Sequence, residues 1–438
     1  MPGKTFFEIL RPFVAEIVKQ QERVQLGRVL KAESAVQFYA GTFQGWYGGA
    51  GLKRGSKGHD RSPFDALRQK IGLHRHPRKD ALRHETRAYP HLCAPSRQGV
   101  ANRRDPARAG RFICINAKGR SAMKVGFIGL GNVGGKLSGS LLRNGIDLSV
   151  HDLNADFVAA KVAMGAKDGK SPADLMQNCD VVITCLPSPA ASAAVLDKMM
   201  PHVGRGKIWM EMSTTDAAEV ERLGRTVIDA GGAAVDCPVS GGCHRADTGN
   251  ISIFAGCDRT SFDRILPLLT IMGRRVLHTG DLGSASVLKV MTNYLATVNL
   301  ISVCEAMTVM KAAGMDLATT FQAISMSSGT SFVHETESQL ILSGSRDVNF
   351  TMDLVQKDIG LFQKLADEFL VPLEVSPLII DIMTDGQKRY GERAQSDRII
   401  ERLEDATGLK ILADGFPQEL VDDEPEERGY EVAARSSL

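Results

Sequence analysis

Lys124-Val125-Gly126-Phe127-Ile128-Gly129-Leu130-Gly131-Asn132-Val133-Gly134 is the stretch whose reading decides the fold. It reads as a buried strand running through a glycine turn into a helix that covers Lys136 to Arg143. Gly129, Gly131 and Gly134 have GxGxxG spacing. In a dinucleotide site the first glycine permits the tight turn and the second lets the backbone approach a pyrophosphate. The third lets the helix pack close to the strand, while N–H groups across the turn (Leu130, Asn132 and Val133 included) face the phosphates. A second strand, Leu148-Ser149-Val150-His151, ends at Asp152, 23 positions after Gly129. An acid at that distance accepts hydrogen bonds from the adenosine ribose and repels a 2′-phosphate. No arginine follows it, so the expected cofactor is NAD in preference to NADP.

The totals are those of a globular chain. With 438 residues, 43% of them apolar and 24% charged, two or three domains of ordinary composition are expected. The net charge of +2 hides an asymmetry, because residues 1–122 hold 24 Lys and Arg against 9 Asp and Glu, and the remainder 29 against 42. The leader, 1–122, reads as a basic, disordered extension ahead of a natural start at Met123, since its Arg-, His-, Gly- and Ser-rich body lacks apolar periodicity beyond one amphipathic stretch over 5–30. An organelle transit peptide and a phosphate-binding nucleic-acid arm are the alternatives, the first opposed by early acids and the second by the lack of an aromatic-basic motif. None of the eight cysteines forms a CxxC pair, so no metal is expected, and buried thiols in the cytoplasm are the reading. No run of 18 apolar residues is present; the span between Lys289 and Glu305 reads as a buried core helix, and no membrane partner is expected.

From Met123 onward short β-branched runs alternate with helix-length segments, at 124–128, 147–151, 180–185, 207–212, 233–236, 251–255 and 275–278. The expected fold class is α/β, a Rossmann-type doubly wound sheet over 123–285. An all-α domain over 286–400 follows, entered through one long inter-domain helix, and then an acidic C-terminal extension over 401–438. Ligands bind such sheets at the carboxyl ends of the strands, so Leu186 and Pro187 are expected over the cofactor and Thr214 beside the nicotinamide ribose. The long helix is expected over 284–313 and later ones near 317–326, 331–342, 353–369 and 374–389. The run Asp422-Asp423-Glu424, Glu426-Glu427 reads as a solvated acidic tail.

Asp236-Cys237-Pro238-Val239-Ser240-Gly241-Gly242 resembles the DAPVSGG pattern of the β-hydroxyacid dehydrogenase family, typified by 3-hydroxyisobutyrate dehydrogenase. Ser240 and the N–H groups of Gly241 and Gly242 make a small anion nest, suited to a substrate carboxylate. Gly283-Ser284-Ala285-Ser286-Val287-Leu288-Lys289-Val290-Met291-Thr292-Asn293 is similar to the family's GxGxxxKxxNN, with Ala285 and Thr292 as departures. The resemblance implies that Lys289 is the catalytic lysine and Asn293 its partner; spacing i, i+4 puts both on one helical face. Phe350 to Asp358 resembles a third segment, which implies that Lys357 reaches the cofactor cleft and is held there by Asp358.

The resemblance covers roughly 123–400 and implies a homodimer or homotetramer acting on a small carboxylate substrate. Lys289 then exchanges a proton with the substrate hydroxyl while hydride passes between carbon and nicotinamide. Rival relatives are 6-phosphogluconate dehydrogenase, which has a His-Asn pair where Thr292-Asn293 stand, and imine reductases, which typically lack the lysine. A non-catalytic dinucleotide-binding protein is the alternative of a different class, opposed by the intact Lys289, Asn293 and Ser240. Cys243, His244 and Arg245 add polarity after the SGG turn, for a substrate such as tartronate semialdehyde or a sugar acid, or simply as surface.

Overall fold

Val125, Phe127 and Ile128 are sealed from solvent because strand β1 (Val125–Ile128) has parallel neighbours on both edges and helices on both faces. Its four residues are all buried, without alternation, as expected of a strand in a doubly covered parallel sheet. The computed structural model describes residues 123–433, so the helix expected over 5–30 and the readings of the 1–122 leader lie outside the described residues.

β1 pairs with β2 (Leu148–His151) and β4 (Val181–Thr184), and the sheet runs from β3 (Lys167–Asp168) through β2, β1, β4 and β5 (Ile208–Glu211) to β6 (Ala233–Asp236). All these pairings are parallel, and the order 3-2-1-4-5-6 is that of dinucleotide-binding sheets. β8 (Ile251–Gly256) is antiparallel to β6 and to the short β7 (Val239–Ser240), and β9 (Gly273–Gly280) lies parallel to β8. Every strand expected from the sequence is present. β3, β7 and β10 (Tyr430–Val432) are additional; each is two or three residues long, too short to carry a readable alternation.

Helices α1 (Asn132–Arg143), α2 (Ala155–Ala163), α3 (Pro172–Asn178), α4 (Pro189–Met199), α5 (Ala217–Asp229), α6 (Gly242–Thr248) and α7 (Arg259–Met272) complete this half. The Ser171-Pro172 start of α3 is capped as its sequence suggests, with Ser171 Oγ accepting from the Asp174 N–H at 3.1 Å. Asp216 caps α5 by accepting from Glu219 N–H at 3.2 Å. One core, with Phe127, Leu137, Ile183 and Phe262, fills one face of the sheet; a second, with Met176, Leu196 and Trp209, fills the other.

The sheet half ends where α8 (Ser284–Ala312) begins. Around α8 pack α9 (Leu317–Ser325), α10 (Phe332–Ser343), α11 (Met352–Glu368) and α12 (Val375–Tyr390), close to the expected bounds. Among the described residues α8 is the one helix that is long and apolar enough, at a mean hydropathy of 1.4, to cross a membrane by length and composition. Here its apolar residues serve as the axis of a helical core, with Leu300, Cys304 and Met307 packed among Phe321, Ile341, Met352 and Met383.

The C-terminal segment departs from the solvated tail expected of it. After α13 (Glu401–Thr407), Ile411 is buried in the helical core and Phe416 meets Phe321 edge-on. The chain then returns to the sheet half, where β10 adds in parallel to β9. Its acids are paired on the way: Asp422 and Glu424 with Arg245, Glu426 with Arg143, Glu427 with Arg274 and Glu431 with Arg259. The run reads as solvated because its arginine partners lie more than 150 positions away in the chain.

Candidate active site

The glycine turn has the geometry its spacing predicts. Gly129 adopts φ +94°, and a Cβ there would lie 2.2 Å from the Cys185 carbonyl oxygen. At Gly134 a Cβ would lie 2.0 Å from the Gly129 carbonyl oxygen, so only glycine allows α1 to sit this close to β1. Gly131 is different: it is exposed and nothing lies within 4 Å of its would-be Cβ, which leaves an open cradle over the turn. Gly131 caps α1 without a side-chain bond and the first turn holds no acid, so the N–H groups of Asn132 and Val133 start a helix terminus suited to a phosphate. These residues fit the pyrophosphate of a dinucleotide.

Asp152 is tied to this turn. Its Oδ2 accepts from the Leu130 N–H at 2.6 Å and its Oδ1 from the Asn154 N–H at 2.8 Å, which fixes the carboxylate beside the glycines. Leu130 itself is buried, Val133 half-buried and Asn132 exposed. Past β4 the Leu186 N–H donates to Ser213 Oγ at 2.7 Å, while Pro187 stands exposed. Ser213 in turn donates its N–H to the buried Glu211 at 2.8 Å, so the loops after β4 and β5 are bolted together.

Lys289 is the centre of a chain of polar contacts that crosses from one half to the other. It projects from the second turn of α8 and is 7% exposed. Its Nζ donates to Asn293 Oδ1 at 2.7 Å, and Asn293 Nδ2 donates to Asp358 Oδ2 on α11. The other oxygen of Asp358 lies 3.0 Å from Lys357 Nζ, which also donates to the carbonyl of Thr214, past the end of β5, at 2.7 Å. Desolvation pulls the Lys289 ammonium down to about 8, against the opposing pull of Asp358. A lysine so placed is able to exchange a proton near neutral pH. The hydroxyl of Thr292, the departure from the resembled pattern, donates to the Lys289 carbonyl of its own helix at 2.9 Å.

Two further links lock α8 and α11 to the sheet. Ser286 donates both its N–H and its hydroxyl to the buried Asp236 at 2.7 and 2.8 Å, and Lys364 pairs with Asp216 at 2.5 Å. Desolvation pushes the Asp236 carboxyl up to about 7, against the two bonds from Ser286.

Ser240, Gly241 and Gly242 form a turn of their own. Ser240 ends β7, which packs beside α8, and Gly241 and Gly242 take φ +129° and +85° at the start of α6. Among the described residues no hydrogen bond joins this turn to the Lys289 chain. Arg245, expected as a substrate contact or as surface, is half-buried and paired within the chain. Its guanidinium pairs with Glu424 at 3.2 Å and sits 4.8 Å from the ring centroid of Phe332 on α10, while the His244 ring stacks on the same phenylalanine. Asp358 was readable only as a partner of Lys357; its bond to Asn293 depends on how α11 lies against α8, which no local spacing reports.

Residues 124–280 match the family described as the NAD binding domain of 6-phosphogluconate dehydrogenase, and residues 283–403 match the one described as NAD-binding of NADP-dependent 3-hydroxyisobutyrate dehydrogenase. The chain is 29% identical to 2-(hydroxymethyl)glutarate dehydrogenase of Eubacterium barkeri over 294 residues, 66% of this chain and 98% of that one. It is 30% identical to mitochondrial 3-hydroxyisobutyrate dehydrogenase of Rattus norvegicus over 283 residues, 62% of this chain and 84% of the relative. The crystal structure of 3-hydroxyisobutyrate dehydrogenase from Salmonella typhimurium shares the fold, with a TM-score of 0.60 and 24% identity across 64% of this chain and 99% of that one. With a dinucleotide turn, a buried lysine joined to an asparagine on the inter-domain helix, and relatives of this identity, the chain belongs to the β-hydroxyacid dehydrogenase family.

Proposed function

We propose that the enzyme oxidises a short β-hydroxy acid, or reduces its semialdehyde, with Lys289 as the proton-exchanging group. The observation that carries this reading is the buried Lys289 ammonium, drawn down to about 8 and aligned by Asn293. In oxidation the neutral Lys289 Nζ takes the proton of the substrate hydroxyl, and in reduction the ammonium returns it. Asn293, anchored by Asp358, orients that hydroxyl or carbonyl. Ser240 and the N–H groups of Gly241 and Gly242 hold the carboxylate. Bound NAD supplies the hydride acceptor or donor. The glycine turn holds its pyrophosphate, Asp152 takes the ribose hydroxyls, and Leu186, Pro187, Thr214 and Lys357 line the nicotinamide side. Asp152, without a following arginine, supports NAD over NADP.

Arg245 is already paired with two carboxylates of the chain, which supports a monocarboxylate over a dicarboxylate substrate. Tartronate semialdehyde or a sugar acid is the second reading, favoured by the polar His244 near the turn. The proposal includes a homodimer or homotetramer in the cytoplasm. The exposed Phe369 and Leu370 just after α11 and Leu378 in the first turn of α12 support a subunit contact, and the free thiols of the six described cysteines support a reducing compartment. The test is a panel of short hydroxy acids followed at the NADH absorbance with both cofactors. Turnover of a short β-hydroxy acid that Lys289→Ala abolishes, with NADH binding intact, supports the reading; undiminished kcat in that variant overturns it.

A further inference from the structure

The C-terminal segment touches the substrate turn's helix more closely than an edge strand requires. Asp422 accepts from the Thr248 hydroxyl, from Asn250 Nδ2 at 2.7 Å, and faces Arg245 Nε at 3.9 Å. Glu424 adds its carbonyl to Asn250 at 2.9 Å and its carboxylate to Arg245 at 3.2 Å. These three partners lie on α6 and directly after it, the helix that opens at Gly241 and Gly242. Arg245 also lies close over the turn, since a Cβ added at Gly241 would come within 3.6 Å of its Cδ. Asn250 is fully buried, so its amide has no water to replace these partners. The segment is pinned further on, where the Gly429 N–H donates to the Thr270 carbonyl at 2.8 Å and β10 joins β9. At its other end it is held in the helical core through Ile411 and by Gln418 Nε2, which donates to the Ser343 carbonyl at 3.1 Å. It therefore spans the two halves of the enzyme and grips the short helix that follows the Ser240–Gly241–Gly242 turn.

We infer that Asp422, with Glu424, is a positioning residue of this dehydrogenase: it holds α6, and through it the Ser240–Gly241–Gly242 turn, in the conformation that takes the substrate carboxylate. The inference rests on the proposed role of that turn. It assigns function to a stretch beyond residues 283–403, where the second family match ends. Asp422 does not touch the reacting atoms. Its removal leaves Lys289 and Asn293 in place and loosens the carboxylate site, so it acts on KM rather than kcat.

The experiment uses the full chain with 3-hydroxyisobutyrate, L-serine and tartronate semialdehyde as probes. Asp422→Asn is expected to raise KM about tenfold for the probe that turns over, with kcat and NADH affinity near wild type, because the charge facing Arg245 and one of the two acceptor oxygens are lost. Amides of 241–250 should exchange with deuterium faster in the same variant, a readout that needs no turnover, and Asp422→Glu should recover part of both. Unchanged KM together with unchanged exchange overturns the inference. If Asp422→Asn does not fold, Gly429→Ala serves instead: its Cβ would lie 1.9 Å from the Gly273 carbonyl oxygen, so it unseats the segment far from the turn. Ser240→Ala separates the two claims. If it leaves KM unchanged, the role of the turn fails; if it raises KM while Asp422→Asn does not, the positioning role of Asp422 fails alone.

Discussion

Lys289 and Asp358 never touch, yet they form one unit, because Asn293 accepts from the lysine at 2.7 Å and donates to the aspartate. The carboxylate therefore acts on the ammonium at one remove. It fixes the asparagine so that its oxygen, not its nitrogen, faces Lys289, and it offsets part of the desolvation that lowers the lysine.

The first consequence is a pH profile. In oxidation Lys289 works as the neutral amine, so kcat/KM should climb with pH and level off above about 8, the value to which burial brings it in the free enzyme. In reduction the same group works as the ammonium and the profile inverts. Lys289→Ala should cost about 10²–10⁴-fold in kcat/KM, the usual weight of a positioned proton-transfer group. Initial rates in both directions across pH 6–10 check this.

Changing the charges around Lys289 should move that profile in opposite directions. Asp358 raises the lysine and Lys357 lowers it. Asp358→Asn should therefore shift the rising limb of oxidation to lower pH, and Lys357→Met should shift it to higher pH. No shift in either variant would show that neither charge acts on Lys289 electrostatically, and a shift of the same sign in both would rule out one of the two.

Cofactor preference should follow Asp152. NAD should exceed NADP in kcat/KM by at least about tenfold, since a 2′-phosphate meets a fixed carboxylate with no compensating arginine. Asp152→Ala should narrow this ratio. It should also weaken NADH itself, because Asp152 Oδ2 holds the Leu130 N–H of the glycine turn at 2.6 Å. Paired titrations of both reduced cofactors measure the two effects.

Stability should fall as pH rises from about 4 to about 8. Asp397 is fully buried, neither of its carboxylate oxygens has a hydrogen-bond partner among the described residues, and desolvation pushes it up to about 7. Glu337, its neighbour in charge, is pushed up to about 8 by the same cause and by Asp397. In the unfolded chain both ionise near pH 4, so from there to about pH 8 the folded state holds protons that the unfolded state has released. The stability is present in full below the unfolded value and is lost as pH rises through the folded ones. Thermal melts from pH 4.5 to 8.5 should show a declining Tm, and Asp397→Asn should flatten the decline; a level profile in the wild type would contradict the assignment.

What the sequence alone determined was whatever depends on neighbours within a strand or a helical turn. The GxGxxG turn, the fully apolar β1 and the i, i+4 placement of Lys289 and Asn293 are local, and each is present as read. The tertiary structure decided the rest. Asn293 meets Asp358 only because α11 packs along α8, and Lys357 reaches the Thr214 carbonyl only because the helical half lies over the strand ends. Arg245 and the acidic run were legible only as polar residues, because their partners lie far apart in the chain and carry no shared period. A charge has no preferred face until a fold supplies one. Here the return of the chain as β10 brings Asp422 and Glu424 against α6 and turns an apparently solvated tail into part of the enzyme's frame.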